Sequence, residues 1–320
     1  MIRTQERFSR CRLLVACAAG LAVLACVPPD VPPGVMESLP EEALDLLKPV
    51  RVDAVALGEG LEYRRVRSSS GPWDVHLVRA DLDLCDLGVR VVAPRARESD
   101  DGRRTVTRLV RESEHGIVAA INGDFFTEEG RPAGVEATAG SLSSGGSGPV
   151  FAWRPGEAPR IGPVEWQGDT LTLGAWQLVS GTPDGRTEII GGFPVLLQNG
   201  GRVGDLELAD RPQFSGQRHP RTAVGFDPER NHLWFVVVDG RREGVSSGMT
   251  LEELAELMTA LGNRDALNLD GGGSSVMVLR HRVVNRPAAP GGEREVANAL
   301  AVHRDSQLCP DDEQLSEEEL

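Results

Sequence analysis

The residues best suited to chemistry lie in one stretch, Asn268-Leu269-Asp270-Gly271-Gly272-Gly273-Ser274-Ser275. Ala266–Leu269 is predicted to be a short buried strand, so Leu267 and Leu269 point to one face while Asn268 and Asp270 point to the other. An apolar core would not tolerate these two polar groups without partners. A simple Asp-Gly hairpin turn is the alternative, but three glycines exceed what such a turn needs. We therefore interpret the stretch as a binding or catalytic site.

A second polar cluster follows another apolar run. Ile117–Ile121 is predicted to be a central strand, and it ends in Asn122-Gly123-Asp124. The same three residue types also form ordinary turns, so the cluster alone leaves a site and a turn equally open.

A third cluster, Asp239-Gly240-Arg241, follows the predicted strand Leu233–Val238. A helix that begins with a capping box at Thr250 and Glu253 leads from there to the strand before Asp270. Such a strand–helix–strand unit predicts parallel strands joined by a right-handed crossover. Because ligands of parallel sheets bind at the carboxyl ends of strands, Asp239 and Asp270 are expected at one edge of the sheet.

The side chains gathered at this edge suit hydrolysis of a substrate that carries phosphate or sugar. Aspartates can serve as general acid, general base or nucleophile. Arginine forks suit phosphate or carboxylate, although salt bridges to the aspartates are the alternative use, and successive glycine amides can form an anion-binding nest. The predicted catalytic residues are Asp270, Asp239 and Asp124. The predicted substrate- and phosphate-binding residues are Arg221, Arg241, Asn122, Asn268, Gly271, Gly272, Gly273, Ser274 and Ser275.

Composition sets the fold class and excludes one class of partner. The 320 residues are 40% hydrophobic and include 37 glycines, which indicates a sizeable core with many strands and turns. We predict a single α+β domain with a mixed β-sheet, a few helices and a strand–helix–strand unit that carries the site. The net charge of −14 argues against nucleic acid as a partner, because phosphate backbones bind basic surfaces.

The N-terminal segment is typical of an export signal. Four arginines precede an apolar run of insufficient length for a comfortable membrane span, so residues 1–25 are predicted to be a signal peptide. Val23-Leu24-Ala25-Cys26 resembles a bacterial lipobox, which implies lipid attachment at Cys26; ordinary cleavage with a free Cys26 is the alternative. Residues 26–50 then form a proline-rich spacer. The chain is thus expected to be exported and lipid-anchored to a bacterial membrane, facing the periplasm or the outside.

The remaining boundaries follow from charge and cysteine content. The globular domain is predicted over residues 51–308, and residues 309–320 form an acidic tail. In an oxidising compartment Cys85 and Cys309 could form a disulfide, although the sequence leaves their pairing open.

Several motifs occur in the order found in the phosphodiester glycosidase family, and together the chain resembles that family over about residues 51–303. They are Asn122-Gly123-Asp124-Phe125-Phe126, His219-Pro220-Arg221-Thr222-Ala223, Asp239-Gly240-Arg241, Gly248-Met249-Thr250-Leu251, Asn268 to Ser275, and Glu293 to Leu300.

The resemblance implies hydrolysis of an α-glycosyl phosphodiester, with release of a sugar such as N-acetylglucosamine. It implies a site lined by Asn122, Asp124, Arg221, Asp239, Arg241, Asn268, Asp270 and Ser274. A glycan of the cell envelope or the exterior is the expected substrate. Two alternatives stay open: an envelope lipoprotein that binds glycan or phosphate without catalysis, and a phosphodiesterase whose aspartates hold Ca²⁺ or Mg²⁺. The motifs assign no cofactor, and Ca²⁺ or Mg²⁺ enters only with the second alternative.

Overall fold

The computed structural model describes residues 38–94, 102–113, 116–204 and 206–309. The predicted signal peptide, the lipidation site Cys26, most of the spacer and the tail beyond residue 309 lie outside the described residues. Within the described part of the chain, no helix is long and apolar enough to cross a membrane.

Strands dominate the secondary structure of the described residues. The helices are α1 (Glu41–Leu47), α2 (Val106–Glu112), α3 (Pro212–Gly216) and α4 (Leu251–Ala260). The strands are β1 (Pro49–Gly58), β2 (Leu61–Ser68), β3 (Trp73–Asp81), β4 (Leu87–Val92), β5 (Gly116–Asn122), β6 (Val135–Thr138), β7 (Ser141–Gly145), β8 (Pro149–Arg154), β9 (Glu157–Pro163), β10 (Glu165–Gln167), β11 (Thr170–Leu173), β12 (Trp176–Val179), β13 (Glu188–Gly191), β14 (Val195–Gln198), β15 (Gly201–Arg202), β16 (Arg221–Asp227), β17 (His232–Val238), β18 (Asp265–Asn268), β19 (Met277–Leu279), β20 (Arg282–Val283) and β21 (Ala299–Arg304).

The described strands form four sheets. The large sheet has the order β1-β2-β3-β17-β16-β18-β14-β15, and the second sheet has the order β20-β19-β5-β21-β4. A third sheet, β7-β6-β13-β8-β9, and the three strands β10-β11-β12 complete the set. Every strand pairing in these sheets is antiparallel.

The predicted α+β class with a mixed sheet is therefore wrong, because the fold is β-rich and its sheets are antiparallel. The error comes from the strand–helix–strand unit. β17 and β18 do run in the same direction, but β16 lies between them and pairs antiparallel with both. The carboxyl ends of β17 and β18 still lie at one edge, and the start of β16, with Arg221, joins them there.

The large sheet and the second sheet pack face to face over the main core. That core contains Val78 and Phe235 from the large sheet and Ile121 and Leu300 from the second sheet. Helices α1 and α4 cover the outer face of the large sheet, and α2 covers the outer face of the second sheet. Both faces of the central strands are thus buried, which explains why their sequences are continuous apolar runs rather than alternating ones.

Helix α4 begins and packs as its sequence predicts. The Thr250 side chain accepts a hydrogen bond from the Glu253 amide and the Glu253 side chain accepts one from the Thr250 amide, which is a complete capping box. Its apolar stripe, including Leu254 and Leu257, is fully buried against the large sheet.

The two ends of the described chain are tied to the body of the fold. Ala43 and Leu47 of α1 are fully buried beside α4, so this helix belongs to the folded body although the sequence analysis places it in the spacer. Cys85 and Cys309 form a disulfide, the pairing that the sequence left open. It links the turn before β4 to the residues after β21.

Candidate active site

Asn122 joins the ends of β5 and β18. Its side chain is fully buried, donates to the Asp270 carbonyl (2.6 Å), and accepts from the Thr222 hydroxyl (2.8 Å) and the Val276 amide (3.1 Å). The Asp270 amide donates in turn to the Gly123 carbonyl at 3.0 Å. Asn122, predicted to bind substrate, thus has its side-chain hydrogen bonds inside the protein and positions Asp270.

The glycine turn after Asp270 carries the chain from the large sheet to the second sheet. Residues Gly272–Ser274 form one turn of 3-10 helix, and Gly272 has a φ of +61°, a conformation that favours glycine. The Gly271 amide donates to Asp270 Oδ1 (2.8 Å) and the Gly272 amide to the Pro220 carbonyl (2.8 Å). Two of the three amides of the predicted anion nest are therefore already occupied.

Asp124 is buried at the end of β5, where one of its oxygens accepts a hydrogen bond from the Gly134 amide at 2.6 Å. The backbone packs closely here: a Cβ atom at Gly191 would lie 2.6 Å from Asp124 Oδ2. Burial raises the pKa of Asp124 to about 7, and the charges of Asp270 and Glu136 act in the same direction. Asp124 is therefore a carboxyl that gains or loses its proton near neutral pH.

Asp270 is the more exposed residue of this pair. It is half-buried, and burial raises its pKa, while a hydrogen bond with Ser274 and the charge of Arg294 act in the opposite direction. The Arg294 guanidinium donates to Ser274 Oγ at 3.2 Å. The two carboxyls are close enough for the charge of Asp270 to act on Asp124, and each has its own hydrogen-bond partners, an arrangement that can give them different acid and base roles.

The two predicted phosphate-binding arginines differ in accessibility. Arg221 is 1% exposed, and its guanidinium donates to the backbone carbonyls of Met249 (2.8 Å), Phe214 (2.7 Å) and Gln217 (3.2 Å). Burial, together with the charge of Arg241, lowers the pKa of Arg221 to about 10. Arg221 therefore holds the segment around α3 and the start of α4.

Arg241 is exposed at the same edge. It has a φ of +56°, and its Nη2 lies 3.4 Å from Nδ1 of His219. Burial, opposed by a hydrogen bond to the Gln213 carbonyl, lowers the pKa of His219. In the described part of the chain neither Arg241 nor Arg221 forms a salt bridge, which leaves the exposed Arg241 available to an anion.

The remaining polar residues of the glycine stretch are buried. Asn268 donates to the Phe193 carbonyl at 2.6 Å, and its Oδ1 has no partner among the described residues. Ser275 Oγ likewise lacks one, whereas Ser274 contacts Arg294 and Asp270.

Asp239 lies apart from the other two aspartates. Its side chain is fully buried and accepts from Asn285 Nδ2 (3.0 Å) and the Arg286 amide (3.0 Å). The structure thus brings Asp124 and Asp270 together and places Asp239 in a separate buried cluster with Asp74 and His76.

The phosphodiester glycosidase family model matches residues 115–303. The chain belongs to this family. A curated relative, N-acetylglucosamine-1-phosphodiester alpha-N-acetylglucosaminidase from Bos taurus, is 26% identical over 257 residues, which are 74% of this chain and 46% of that protein. The chain thus spans about half the length of the curated relative it matches.

Solved structures support the same fold. A hypothetical protein from Synechocystis has a TM-score of 0.62 at 18% identity, covering 80% of this chain and 64% of its own. The zebrafish N-acetylglucosamine-1-phosphodiester alpha-N-acetylglucosaminidase catalytic domain, auto-inhibited by its pro-peptide, has a TM-score of 0.56 at 20% identity, covering 79% and 84%. An exported protein from Burkholderia pseudomallei has a TM-score of 0.54 at 18% identity, covering 74% and 75%.

The phosphodiester glycosidase match contains every predicted site residue from Asn122 to Ser275. It also contains Arg294, which the residue-by-residue sequence reasoning did not select, although the family motif Glu293–Leu300 includes it. The Arg294 guanidinium lies 4.7 Å from the centre of the Phe126 ring, next to the turn that carries Asp270. The position of Arg294 within this family motif was the only feature of the quoted motifs that could have identified it as a site residue.

Three half-buried aromatic rings near the carboxyl pair were also not predicted as site residues. Phe214 packs edge-on against Phe125, with ring centres 6.0 Å apart, and stacks with Phe193 at 6.5 Å. Phe125 directly follows Asp124. Phe193 lies between β13 and β14, and Phe214 lies in α3. Both are far from Asp124 in sequence, so only the folded chain reveals that they adjoin the site.

Proposed function

We propose that this chain hydrolyses an α-glycosyl phosphodiester whose sugar resembles N-acetylglucosamine, in a glycan of the cell envelope or the exterior. The observation that carries the proposal is that the exposed arginines Arg241 and Arg294 both lie against the turn that presents Asp270. A Cβ atom at Gly272 would lie 3.1 Å from Arg241 Nη2, and the Arg294 side chain contacts Ser274. Membership of the phosphodiester glycosidase family supports the same reaction class.

The arginines suit the leaving group of this reaction. Cleavage of the bond between the sugar and the phosphate releases a phosphate monoester, which keeps its negative charge without needing a proton. Arg241 and Arg294 supply positive charge where that negative charge develops, and guanidinium groups match phosphate oxygens in a planar, two-bond geometry. Arg221 stays inside the protein and positions the neighbouring loop.

Asp270 is the carboxylate that acts at the anomeric carbon in this proposal. Glycosidases stabilise a cation-like transition state at that carbon with a carboxylate, which serves as nucleophile or as the base that activates water. Asp270 is the more exposed residue of the pair, and the Gly271 amide and Ser274 orient its carboxylate. Asp124, buried beside it, holds a proton near neutral pH and so limits the negative charge that the anionic substrate meets.

The proposed function also includes where the protein acts. We propose that the chain is exported and anchored by lipid at Cys26. The Cys85–Cys309 disulfide supports an oxidising compartment, because such bonds persist mainly outside the cytosol. An envelope glycan that carries sugar–phosphate links would be within reach of a protein anchored in this way.

The decisive experiment measures release of free sugar from a synthetic N-acetylglucosaminyl α-phosphodiester. The Asp270→Asn variant is expected to lose at least ~100-fold in kcat, the scale of acid, base and electrostatic contributions. Asp265→Asn is the matched control, since Asp265 begins the same strand and lies away from the glycine turn. This control is expected to retain wild-type turnover.

The competing function is glycan or phosphate binding without catalysis. Absence of turnover in the wild type over several sugars, with calorimetric binding that is lost in Arg241→Ala, would replace the hydrolase by a binding protein. Equal turnover in Asp270→Asn and wild type would reject the role of Asp270 while leaving the reaction itself in place.

A further inference from the structure

A second cluster of ionisable groups lies inside the fold at the start of β3 and the end of β17. It consists of Asp74, His76 and Asp239, all buried, whose potential ligand atoms lie within 4.8 Å of one another. His76 Nε2 is 3.7 Å from Asp74 Oδ1 and 3.7 Å from Asp239 Oδ2. These separations are too long for hydrogen bonds, although all three atoms face one small space.

His76 is the informative member of this Asp74–His76–Asp239 cluster. Its side chain is fully buried, and Nε2 has no hydrogen-bond partner among the described residues. The other ring nitrogen, Nδ1, lies 2.8 Å from the Tyr63 hydroxyl. Metal-bound imidazoles typically use their second nitrogen for such an orienting hydrogen bond, which leaves the first nitrogen free for the metal.

The two carboxylates are held in place by neighbouring donors. Arg65 donates to both oxygens of Asp74, at 2.7 and 2.5 Å. Asp239 receives hydrogen bonds from Asn285 Nδ2 and the Arg286 backbone amide, and among the described residues no arginine or lysine side chain forms a salt bridge with it. The carboxylates of Asp74 and Asp239 together with the Arg65 guanidinium leave one negative charge in the interior, which is costly unless a cation lies beside it.

We propose that a divalent transition-metal ion, such as Zn²⁺ or Mn²⁺, binds between Asp74, His76 and Asp239. A cation equidistant from three atoms so spaced lies roughly 2.0–2.4 Å from each, which is the range of metal–nitrogen and metal–oxygen bonds. One imidazole and two carboxylates form a mixed nitrogen–oxygen donor set, which suits Zn²⁺ or Mn²⁺ better than Ca²⁺ or Mg²⁺.

The proposed ion has a structural role. Asp239 is fully buried, so the ion has no access to substrate and differs from an aspartate-bound catalytic Ca²⁺ or Mg²⁺. It ties β3 to β17 next to Arg241. The loop after Arg241 is held by the same region, because Ser246 Oγ donates to the Asp239 carbonyl (2.6 Å) and accepts from the Asp74 amide (3.0 Å). The metal would thereby fix the position of the Arg241 loop.

The first test measures metal content and stability, and it needs no activity assay. The purified chain is stripped with a chelator, dialysed, and titrated with Zn²⁺ or Mn²⁺ while bound metal is counted by mass spectrometry. One ion per chain is expected, with a melting temperature several degrees above that of the stripped protein.

Variants assign the ion to the cluster. His76→Gln is expected to abolish stoichiometric binding, and the milder Tyr63→Phe to weaken it ~10–100-fold by removing the orienting hydrogen bond. Asp227→Asn is the matched control, because Asp227 is a buried carboxylate at the far end of β16. It should bind metal as the wild type does. If His76→Gln does not fold, the Tyr63→Phe titration decides.

Two results would overturn the proposal. One is a wild-type chain that binds no stoichiometric Zn²⁺ or Mn²⁺ and melts at the same temperature with and without them. The other is a nuclear magnetic resonance spectrum, recorded with metal in excess, in which both nitrogens of His76 carry protons. In that case an imidazolium, rather than a metal ion, would balance the two carboxylates.

Discussion

The Asp124 carboxyl links the activity of the site to pH. Burial raises its pKa to about 7, so Asp124 is neutral below this pH and ionised above it. An ionised Asp124 adds a negative charge beside Asp270 and repels the anionic phosphodiester. We expect kcat/KM to fall as the pH rises through about 7, mainly through a higher KM, in a profile measured from pH 5 to 9.

The Asp124→Asn variant separates charge from proton donation. An amide has no charge to gain, so the fall above pH 7 should disappear while turnover at pH 6 stays within about tenfold of wild type. A loss of ~100-fold at pH 6 would instead show that Asp124 donates its proton during the reaction. Burial lowers the pKa of His219 below the ordinary histidine value, so His219 does not account for a fall in activity above pH 7.

Replacement by alanine is expected to reduce activity at Arg241 and folding stability at Arg221. Arg241→Ala removes an exposed side chain without a salt bridge in the described residues, so activity should fall while the unfolding free energy stays within about 0.5 kcal/mol of wild type. Arg221→Ala leaves three backbone carbonyls without their donor and should cost about 3 kcal/mol. Urea unfolding and sugar release measure the two effects, and equal destabilisation by both variants would contradict this division.

The sequence could identify these arginines as candidates but could not divide their tasks. Both lie beside apolar strands, and both have the guanidinium chemistry that phosphate binding requires. The carbonyls that surround Arg221 come from Phe214, Gln217 and Met249, and only the folded chain brings them together. The same reason applies to Asp239, whose partners Asn285 and Arg286 follow it by more than forty residues.

At the scale of elements, the sequence predicted the start and the buried face of α4 correctly, whereas its prediction of a mixed sheet in an α+β fold was wrong. The capping box and apolar stripe of α4 are properties of consecutive residues, so the sequence contains them in full. The type of sheet depends on which strands pair, and β16 pairs antiparallel with both β17 and β18, so the predicted mixed sheet does not form. The predicted common edge for the ends of β17 and β18 is nevertheless correct. Two strands that run in the same direction end at the same edge of a sheet whether or not another strand lies between them.

Glu188 makes the contact between β13 and β4 depend on pH. Its buried carboxyl accepts from the Val91 amide (2.8 Å) and the Ala139 amide (3.0 Å), and burial raises its pKa to about 7. Between about pH 4.5 and 7 the folded state holds a proton that the unfolded state has released. Stability therefore falls as the pH rises through this window, by at most about 1.4 kcal/mol per pH unit from this group.

The Glu188→Gln variant tests this contribution through urea unfolding at several pH values between 4.5 and 7. Its unfolding free energy should depend less steeply on pH than that of the wild type, although the part due to Asp124 remains. Glu165→Gln, at an exposed position on β10, is the control and should leave the slope unchanged. Identical slopes in Glu188→Gln and wild type would show that Glu188 is ionised in the folded protein throughout this range.

In the molecule as a whole, the candidate site and the disulfide lie at opposite ends of the second sheet. Ala299 of β21 pairs with Asn122, beside the site, whereas Arg304 pairs with Gly116 and Leu87, near Cys85 and Cys309. The sequence indicated two cysteines that could pair, but their distance from the site follows from strand register, which composition does not encode. Removal of the Cys85–Cys309 disulfide should therefore lower the stability of the fold without lowering the activity of the site.

The Cys85→Ser/Cys309→Ser double variant tests that separation. The disulfide joins residues 224 positions apart, and a loop of this length restricts the unfolded chain strongly, so its removal should cost about 3–5 kcal/mol of unfolding free energy. Turnover at a temperature where the variant stays folded should remain within about twofold of wild type, because distant sites act independently. A reductant should destabilise the wild type and leave the double variant unchanged. Loss of activity in a fully folded variant would instead mean that the far end of β21 controls the geometry of Asn122, and through it the position of Asp270.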